Sequence, residues 1–246
     1  MSLSSNINPI PTRVSVVIPV LNEEASLPQC LDSLGPPSDG FEVVVVDGGS
    51  TDLSRTVATR AGARLLCSEG RGRAVQLQLG AGSARGDVLL FLHADTRLPV
   101  GWLDAVLDVL DHERAILGGA FKRRFGGNSV WLHLTCVVAD WRGLIWGCFL
   151  GDQAMFIRRS VFEALGGFRF LDSCEDLDLS FRLAAVGRTC LLSPPVYSSA
   201  RRFDRRGPIR QTFRDLVTGL RFVAEQAPAS ALPKNFHSDP FSNPVL

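Results

Sequence analysis

Apolar positions along the chain follow two rhythms. Val14-Ser-Val-Val-Ile-Pro19 and Phe41-Glu-Val-Val-Val-Val-Asp47 are short, β-branched runs, the signature of parallel strands covered on both faces. Between them, over residues 24–34, Leu27, Leu31 and Leu34 recur at helical spacing, with Asn22 the expected N-cap. Strand, helix and strand within about 34 residues make a βαβ unit. The alternation continues. Ser50-Thr51-Asp52 caps a helix bearing Leu53 and Val57 that stops at Gly62, residues 64–67 read as a strand, 74–84 as a helix and 87–92 as another buried strand. Pro99 suits the first turn of a helix carrying Trp102, Leu103, Val106, Leu107 and Leu110.

Residues 13–112 are thus predicted to be an α/β half with a Rossmann-like, mostly parallel sheet flanked by helices. The second half loses the alternation and predicts a smaller mixed sheet. Residues 116–124 read as a strand, 151–158 as a strand, 176–186 as a helix closed by Gly187, and 189–193 as a strand. Over 129–141, apolar residues at 130, 131, 134, 137, 138 and 141 predict an amphipathic helix. Pro208 begins a long helix with Ile209, Phe213, Leu216, Val217, Leu220 and Val223 in its stripe. The expected organisation is one domain over 1–226 in two halves (13–112 and 113–226), then a loose tail over 227–246.

The composition changes little in this picture. The chain has 246 residues, 46% apolar and 21% charged, with a formal net charge of +1. That is an ordinary globular balance, and it argues against a general nucleic-acid binder. Six cysteines lie far apart with no C-x-x-C pair, and only four histidines are present. Reduced thiols in a cytoplasmic protein fit that spacing better than disulfides or a zinc site. The longest charge-free run, 125–139, has 15 residues, short of the roughly 18 expected for a membrane span.

Chemistry is sought beyond the carboxyl ends of the strands, where open α/β sheets bind ligands. There stand Asn22-Glu23-Glu24, then Asp47-Gly-Gly-Ser-Thr-Asp52, then His93-Ala94-Asp95. Carboxylates at three equivalent strand ends suit ribose hydroxyls, base N–H groups or a hard cation such as Mg²⁺ or Mn²⁺. Taken singly, each acid also reads as a turn or helix-start residue. A dinucleotide fold is excluded because no G-x-G-x-x-G follows the first strand, and no Walker motif exists.

Three stretches carry a resemblance: Val14-Ser-Val-Val-Ile-Pro-Val-Leu-Asn-Glu-Glu24, Val46-Asp-Gly-Gly-Ser-Thr-Asp52 and Gly86-Asp-Val-Leu-Leu-Phe-Leu-His-Ala-Asp95. Together they resemble the family 2 glycosyltransferases of GT-A fold. Gly70-Arg-Gly-Arg-Ala74, Phe91-Leu-His-Ala-Asp-Thr96 and Gly151-Asp-Gln153 resemble its subgroup of rSAM/selenodomain-associated transferase 2, also described as arsenosugar-biosynthesis glycosyltransferases. The resemblance implies a sugar moved with inversion from a nucleotide-diphosphate donor, usually a UDP-sugar, to an acceptor hydroxyl.

Residue by residue, it implies that Pro19, Asn22 and Glu23 line the nucleotide pocket, that Asp47 accepts from the base and that Arg73 sits near base or phosphates. The family's D-x-D stands here as His93-Ala94-Asp95, so Asp95 would hold the metal, Mg²⁺ or Mn²⁺, without the first acid. Glu175-Asp176 resembles the family's ED pair, which makes Asp176 the base and Glu175 its neighbour at the acceptor. Such a displacement needs one carboxylate to take the hydroxyl proton. Asp152 and Gln153 are candidate sugar contacts or, on the other reading, parts of a buried turn.

Arg201, Arg202, Arg205, Arg206, Arg210 and Arg214 form the densest local charge, either a solvated face or a segment closing on the diphosphate, with Arg202 the expected contact. The family's polymer-making Q-x-x-R-W is not found there. The stripe over 130–141, extended by Leu144, Ile145 and Trp146, suits a membrane surface, a lid over the acceptor cleft or a homodimer contact. The rival functions are a non-catalytic sugar-nucleotide-binding relic or scaffold and, on weaker grounds, a nucleotidyltransferase.

Overall fold

The computed structural model describes residues 13–36, 40–69, 72–126, 129–171, 173–201, 203 and 207–226. The tail expected over 227–246 lies outside them, as does Arg202. The first half alternates as predicted: β1 (Val14–Val20), α1 (Leu27–Asp32), β2 (Phe41–Asp47), α2 (Ser54–Arg60), β3 (Arg64–Cys67), α3 (Arg73–Ser83) and β4 (Val88–Phe91). A two-residue strand β5 (Thr96–Arg97) and α4 (Trp102–His112) follow. The second half holds β6 (Ile116–Phe125), α5 (Val130–Trp146), a 3-10 turn (Gly151–Gln153), β7 (Met155–Arg158), α6 (Arg159–Ala164), α7 (Glu175–Val186), β8 (Arg188–Ser198) and α8 (Pro208–Gln226).

All eight strands form one sheet in the order β3-β2-β1-β4-β7-β6-β8-β5. β3, β2, β1 and β4 run parallel, β7 is antiparallel to both β4 and β6, and β6 and β8 are parallel. The strands of the second half therefore continue the sheet of the first through β7 rather than forming a second sheet. β5 follows β4 in sequence yet pairs with β8, so the sheet curls back on itself.

Side chains alternate between the two faces of each strand. Val16, Ile18, Val45 and Leu90 pack with α1, α2 and α4 through Leu27, Leu31, Ala58, Trp102 and Val106. Val17, Val44, Val46, Leu89 and Phe91 pack on the other face with Ala74, Leu77, Phe162, Leu179 and Leu183 of α3, α6 and α7. Each such fully buried aliphatic or aromatic side chain contributes about 1.5–3 kcal/mol. At Gly80 a methyl group would stand 2.4 Å from Val17 Cγ1, which shows how closely α3 lies on β1.

Two expectations are corrected. Residues 151–158 begin as a 3-10 turn, because Gly151, Asp152 and Gln153 are all buried with polar partners, and become strand only at Met155. On α8, Ile209 and Phe213 face solvent while Gln211 and Phe222 are buried. α5 carries its apolar stripe outward and buries Leu132, Cys136, Ala139, Asp140 and Gly143 on its other side.

Candidate active site

The loops beyond β1 and β2 are cross-linked by their own polar groups. Asn22, at φ +55°, donates its backbone N–H to Ser50 Oγ (2.9 Å) and accepts from the Thr51 amide at Oδ1 (2.8 Å). Glu23 N–H reaches Ser54 Oγ (2.8 Å), Glu24 N–H reaches Asp52 Oδ2 (3.0 Å), and Glu24 Oε2 accepts from the Leu53 amide (2.8 Å). Asn22 is therefore a loop fastener and not the N-cap of α1, which begins after Ser26. Pro19 is half-buried near the end of β1.

Asp47 closes β2 with its carboxylate buried and surrounded by donors. Oδ2 accepts from the Gly49 amide (3.0 Å) and Arg55 Nε (2.7 Å), and the Ser50 amide lies 3.1 Å away. Burial pushes this carboxyl up, but hydrogen bonds from Ser50, Arg55 and Gly49 outweigh it and hold the group below its ordinary value. The strand ends are also clamped from beneath. Gln76 of α3, buried among apolar neighbours, donates from Nε2 to the carbonyls of Val20 and Val46, each at 2.8 Å. Sequence reasoning missed Gln76, although a polar residue among the core positions of a helix was the available signal.

Beyond β4, Asp95 is partly exposed and its backbone carbonyl accepts from the Ser199 amide at 3.1 Å. Two residues on, Arg201 Nη2 bonds both oxygens of Glu23 (2.7 and 2.9 Å) and stands 3.6 Å from Asp95 Oδ2. The Glu23 hydrogen bond, set against desolvation, raises the Arg201 pKa. Of the arginine run, then, Arg201 spans the two strand ends.

The second half of the chain supplies the third group. α7 opens with Glu175, Asp176 and Asp178 in its first turn, where the helix dipole favours negative charge. Asp176 Oδ1 accepts from the Leu177 amide (2.8 Å) and Oδ2 from the Gly151 amide. A methyl group on Gly151 would meet His93 Nε2 at 2.6 Å and Asp176 Oδ2 at 2.9 Å. The β4-end histidine and the α7 carboxylate thus converge on the same side of Gly151. Glu175 is buried, and Arg73 at the start of α3 approaches its Oε1 at 3.4 Å. Burial, then the charge of Asp176, push the Glu175 carboxyl up, with Arg73 opposing.

Asp152 and Gln153 face inward. Asp152 is paired with Arg123 of β6 at 2.5 Å, both nearly sealed from solvent. Gln153 accepts at Oε1 from the Leu150 amide and from Arg142 Nη2, both at 3.1 Å, and donates to the Phe121 carbonyl at 3.3 Å. These residues build the floor under Gly151, with burial and partners that match the buried-turn alternative. Arg123 and Arg142, which hold that floor, were not foreseen: Arg123 stands between Lys122 and Arg124, and nothing in that basic run marks it as the buried one.

Among the described residues no group of three or more His, Cys, Asp or Glu is gathered to hold a metal by itself. Asp95 offers one carboxylate at the cleft. Mg²⁺ and Mn²⁺ commonly take one or two carboxylates and complete their shell with phosphate oxygens and water, so this donor set fits a cation that shares a diphosphate.

Residues 15–171 match the family model for Glycosyl transferase family 2. Glucosyl-3-phosphoglycerate synthase of Mycobacterium tuberculosis (strain ATCC 25618 / H37Rv) is 37% identical over 127 residues, 45% of this chain and 38% of that protein. The chain thus spans well under half of that relative's length. Mannosyltransferase PcManGT from Pyrobaculum calidifontis, solved with GDP-Man and Mn²⁺, superposes with a TM-score of 0.59 at 23% identity, over 85% of this chain and 66% of that one. S. aureus TarS 1-349 with UDP-GlcNAc gives 0.58 at 20% identity, over 76% and 58%. The expected GT-A fold stands on these superpositions, with eight strands in one curled sheet flanked by helices.

Proposed function

Because this chain belongs to glycosyl transferase family 2, we propose that it moves a sugar from a nucleotide-diphosphate donor to an acceptor hydroxyl, with inversion and with Asp176 as the base. The observation that carries this reading is the meeting at Gly151: the carboxylate opening α7 and the strand-end motif His93-Ala94-Asp95 reach one place from opposite halves of the chain. Domain limits follow from it, with 1–226 as one catalytic unit and 13–112 as its nucleotide-binding half.

The donor lies over the ends of β1, β2 and β4. Pro19, Asn22 and Glu23 line the nucleotide pocket, and Asp47 meets the base once Arg55, itself half-exposed, yields part of its hold. UDP is the expected nucleotide. The structural relatives solved with UDP-GlcNAc and with GDP-Man support a nucleotide sugar and make GDP the first competitor. Arg73, Arg201 and Arg202 take the diphosphate. A divalent cation, Mg²⁺ or Mn²⁺, shared between Asp95 and the diphosphate would neutralise charge on the leaving group.

Asp176 takes the acceptor proton as the hydroxyl attacks the anomeric carbon, and the bond to the diphosphate breaks on the opposite side. No enzyme nucleophile is needed. The amides of Leu177 and Gly151 fix the carboxylate's aim, leaving its outer lone pairs for the acceptor. Glu175, buried beside it, is a positioning residue that ties α7 to Arg73. The finer placement in the rSAM/selenodomain-associated transferase 2 subgroup rests on Gly70–Ala74, Phe91–Thr96 and Gly151–Gln153, and a cytoplasmic site accords with the unpaired cysteines.

Asp176→Asn tests the assignment. Transfer should fall by about 10²–10⁴-fold, the usual contribution of a general base, while calorimetric binding of UDP with Mn²⁺ stays within a factor of about two. Lost donor binding with normal turnover of whatever donor still binds would overturn it.

A further inference from the structure

α5 has two faces of opposite character. Inward it is small: Cys136, Ala139 and Gly143 lie against the sheet, with the Phe149 ring 3.0 Å from where a Gly143 methyl would stand. Outward, Val130, Leu134, Val138, Trp141 and Ile145 recur every three or four residues, and Trp146 joins them at the end of the helix. All are about half exposed or more, up to 84% at Val130. Monomeric proteins seldom show solvent a contiguous apolar surface of this breadth.

α8 lies beside it, held by a hydrogen bond from Trp131 Nε1 to Thr212 Oγ1 at 3.1 Å. It adds exposed Ile209 and Phe213, and exposed Arg210, Arg214 and Arg221. The negative charge nearby is largely engaged: Asp140 of α5 is buried against Arg124 (2.9 Å), and Asp215 accepts from Gln211 (2.7 Å). The face is therefore apolar with a cationic border.

We propose that the outer face of α5, with the adjoining side of α8, docks flat on an anionic lipid surface. Tryptophans suit the depth of the headgroups, apolar side chains the acyl boundary, and arginines the acidic headgroups around them. No helix among the described residues is long and apolar enough to cross a membrane, so the contact is one of lying on and not of spanning. A second copy fits less well, since a two-fold contact would set the same arginines against themselves. The inference stands apart from the proposed reaction, because α5 and α8 contribute none of the residues assigned to it.

The test is co-sedimentation with vesicles of phosphatidylcholine alone and of phosphatidylcholine with one-third phosphatidylglycerol. The chain should bind the second in a salt-sensitive way and the first weakly. Trp141→Asp with Ile145→Asp should lower partitioning at least about tenfold with an unchanged thermal midpoint, since both side chains already face water. Arg210→Glu with Arg214→Glu should remove the preference for anionic vesicles; should the first variant fold poorly, Val138→Gln serves as the second apolar variant. No binding to anionic vesicles, or binding untouched by every variant, overturns the proposal. So does a dimer that Trp141→Asp dissociates while no lipid is bound.

Discussion

Gly151 is the residue on which the two halves of the cleft depend, and the reason is space. Its backbone is not in a left-handed conformation, yet a methyl group there would press on both the His93 ring and the Asp176 carboxylate. Gly151→Ala is expected to lower turnover by about tenfold or more through displacement of the base, with the thermal midpoint moving little; donor binding and turnover measured separately check it. Glu175 behaves differently. Its carboxyl is pushed above the ordinary 4.5, so the native state holds that proton more tightly than the unfolded chain does. The stability this gives is present below pH 4.5 and is lost as pH rises through the native value. Glu175→Gln should therefore raise the melting temperature at neutral pH, with the advantage shrinking toward pH 4.5. Calorimetry at several pH values would show it, and an advantage that grows on acidification would refute the assignment. The cysteines give a simpler check. Burial pushes Cys30, Cys148 and Cys190 up, the last two to about 12, while Cys67 is the one exposed cysteine of the six. One thiol should react quickly with a disulfide reagent in the native protein.

At the level of elements, the floor beneath Gly151 and Asp176 is an ion pair that secondary-structure reasoning could not see. Arg123 projects from β6 and Asp152 from the 3-10 turn, so their pairing fixes that turn to the sheet. Arg123→Ala leaves a buried carboxylate without its partner and should cost about 3–5 kcal/mol in denaturant unfolding. β1, β2, α1 and α3 were legible because a single hydrophobic rhythm decided each of them. The orientation of α5 was not, because two stripes compete at helical spacing: Leu132, Cys136, Ala139 and Gly143 are buried, while the more hydrophobic stripe beside them covers no core. β8 was expected to stop at Ser193, but it runs on to Ser198; Pro194 and Pro195 fall where the register shifts between the Phe121–Leu192 and Arg123–Val196 pairings. In the site, Asp47, Asp95 and Asp176 could be picked out by motif. What each one touches could not, because Arg55, Arg201 and Gly151 come from other segments.

At the level of the whole molecule, two antiparallel pairings join the halves. β7 pairs with β4 on one side and β6 on the other, and β5 pairs with β8, so the β4 end and the turn at Gly151 belong to one hydrogen-bonded sheet, to which Asp176 is tied through the Gly151 amide. A cation arriving with its nucleotide would meet side chains already held by that frame. Mn²⁺ alone should shift the melting temperature little, UDP with Mn²⁺ should raise it, and Asp95→Ala should abolish the increment due to the metal. A strong shift with Mn²⁺ alone would contradict the one-carboxylate site. The contact of Arg201 with Glu23 and Asp95 bears on the same equilibrium. With its guanidinium lying between those carboxylates, the protein carries its own counterion at the mouth of the cleft. Under the proposed reaction, a dication at Asp95 would compete with a guanidinium tethered two residues from the amide that Asp95 holds, and Arg201, once displaced, would be placed to meet the donor's phosphates.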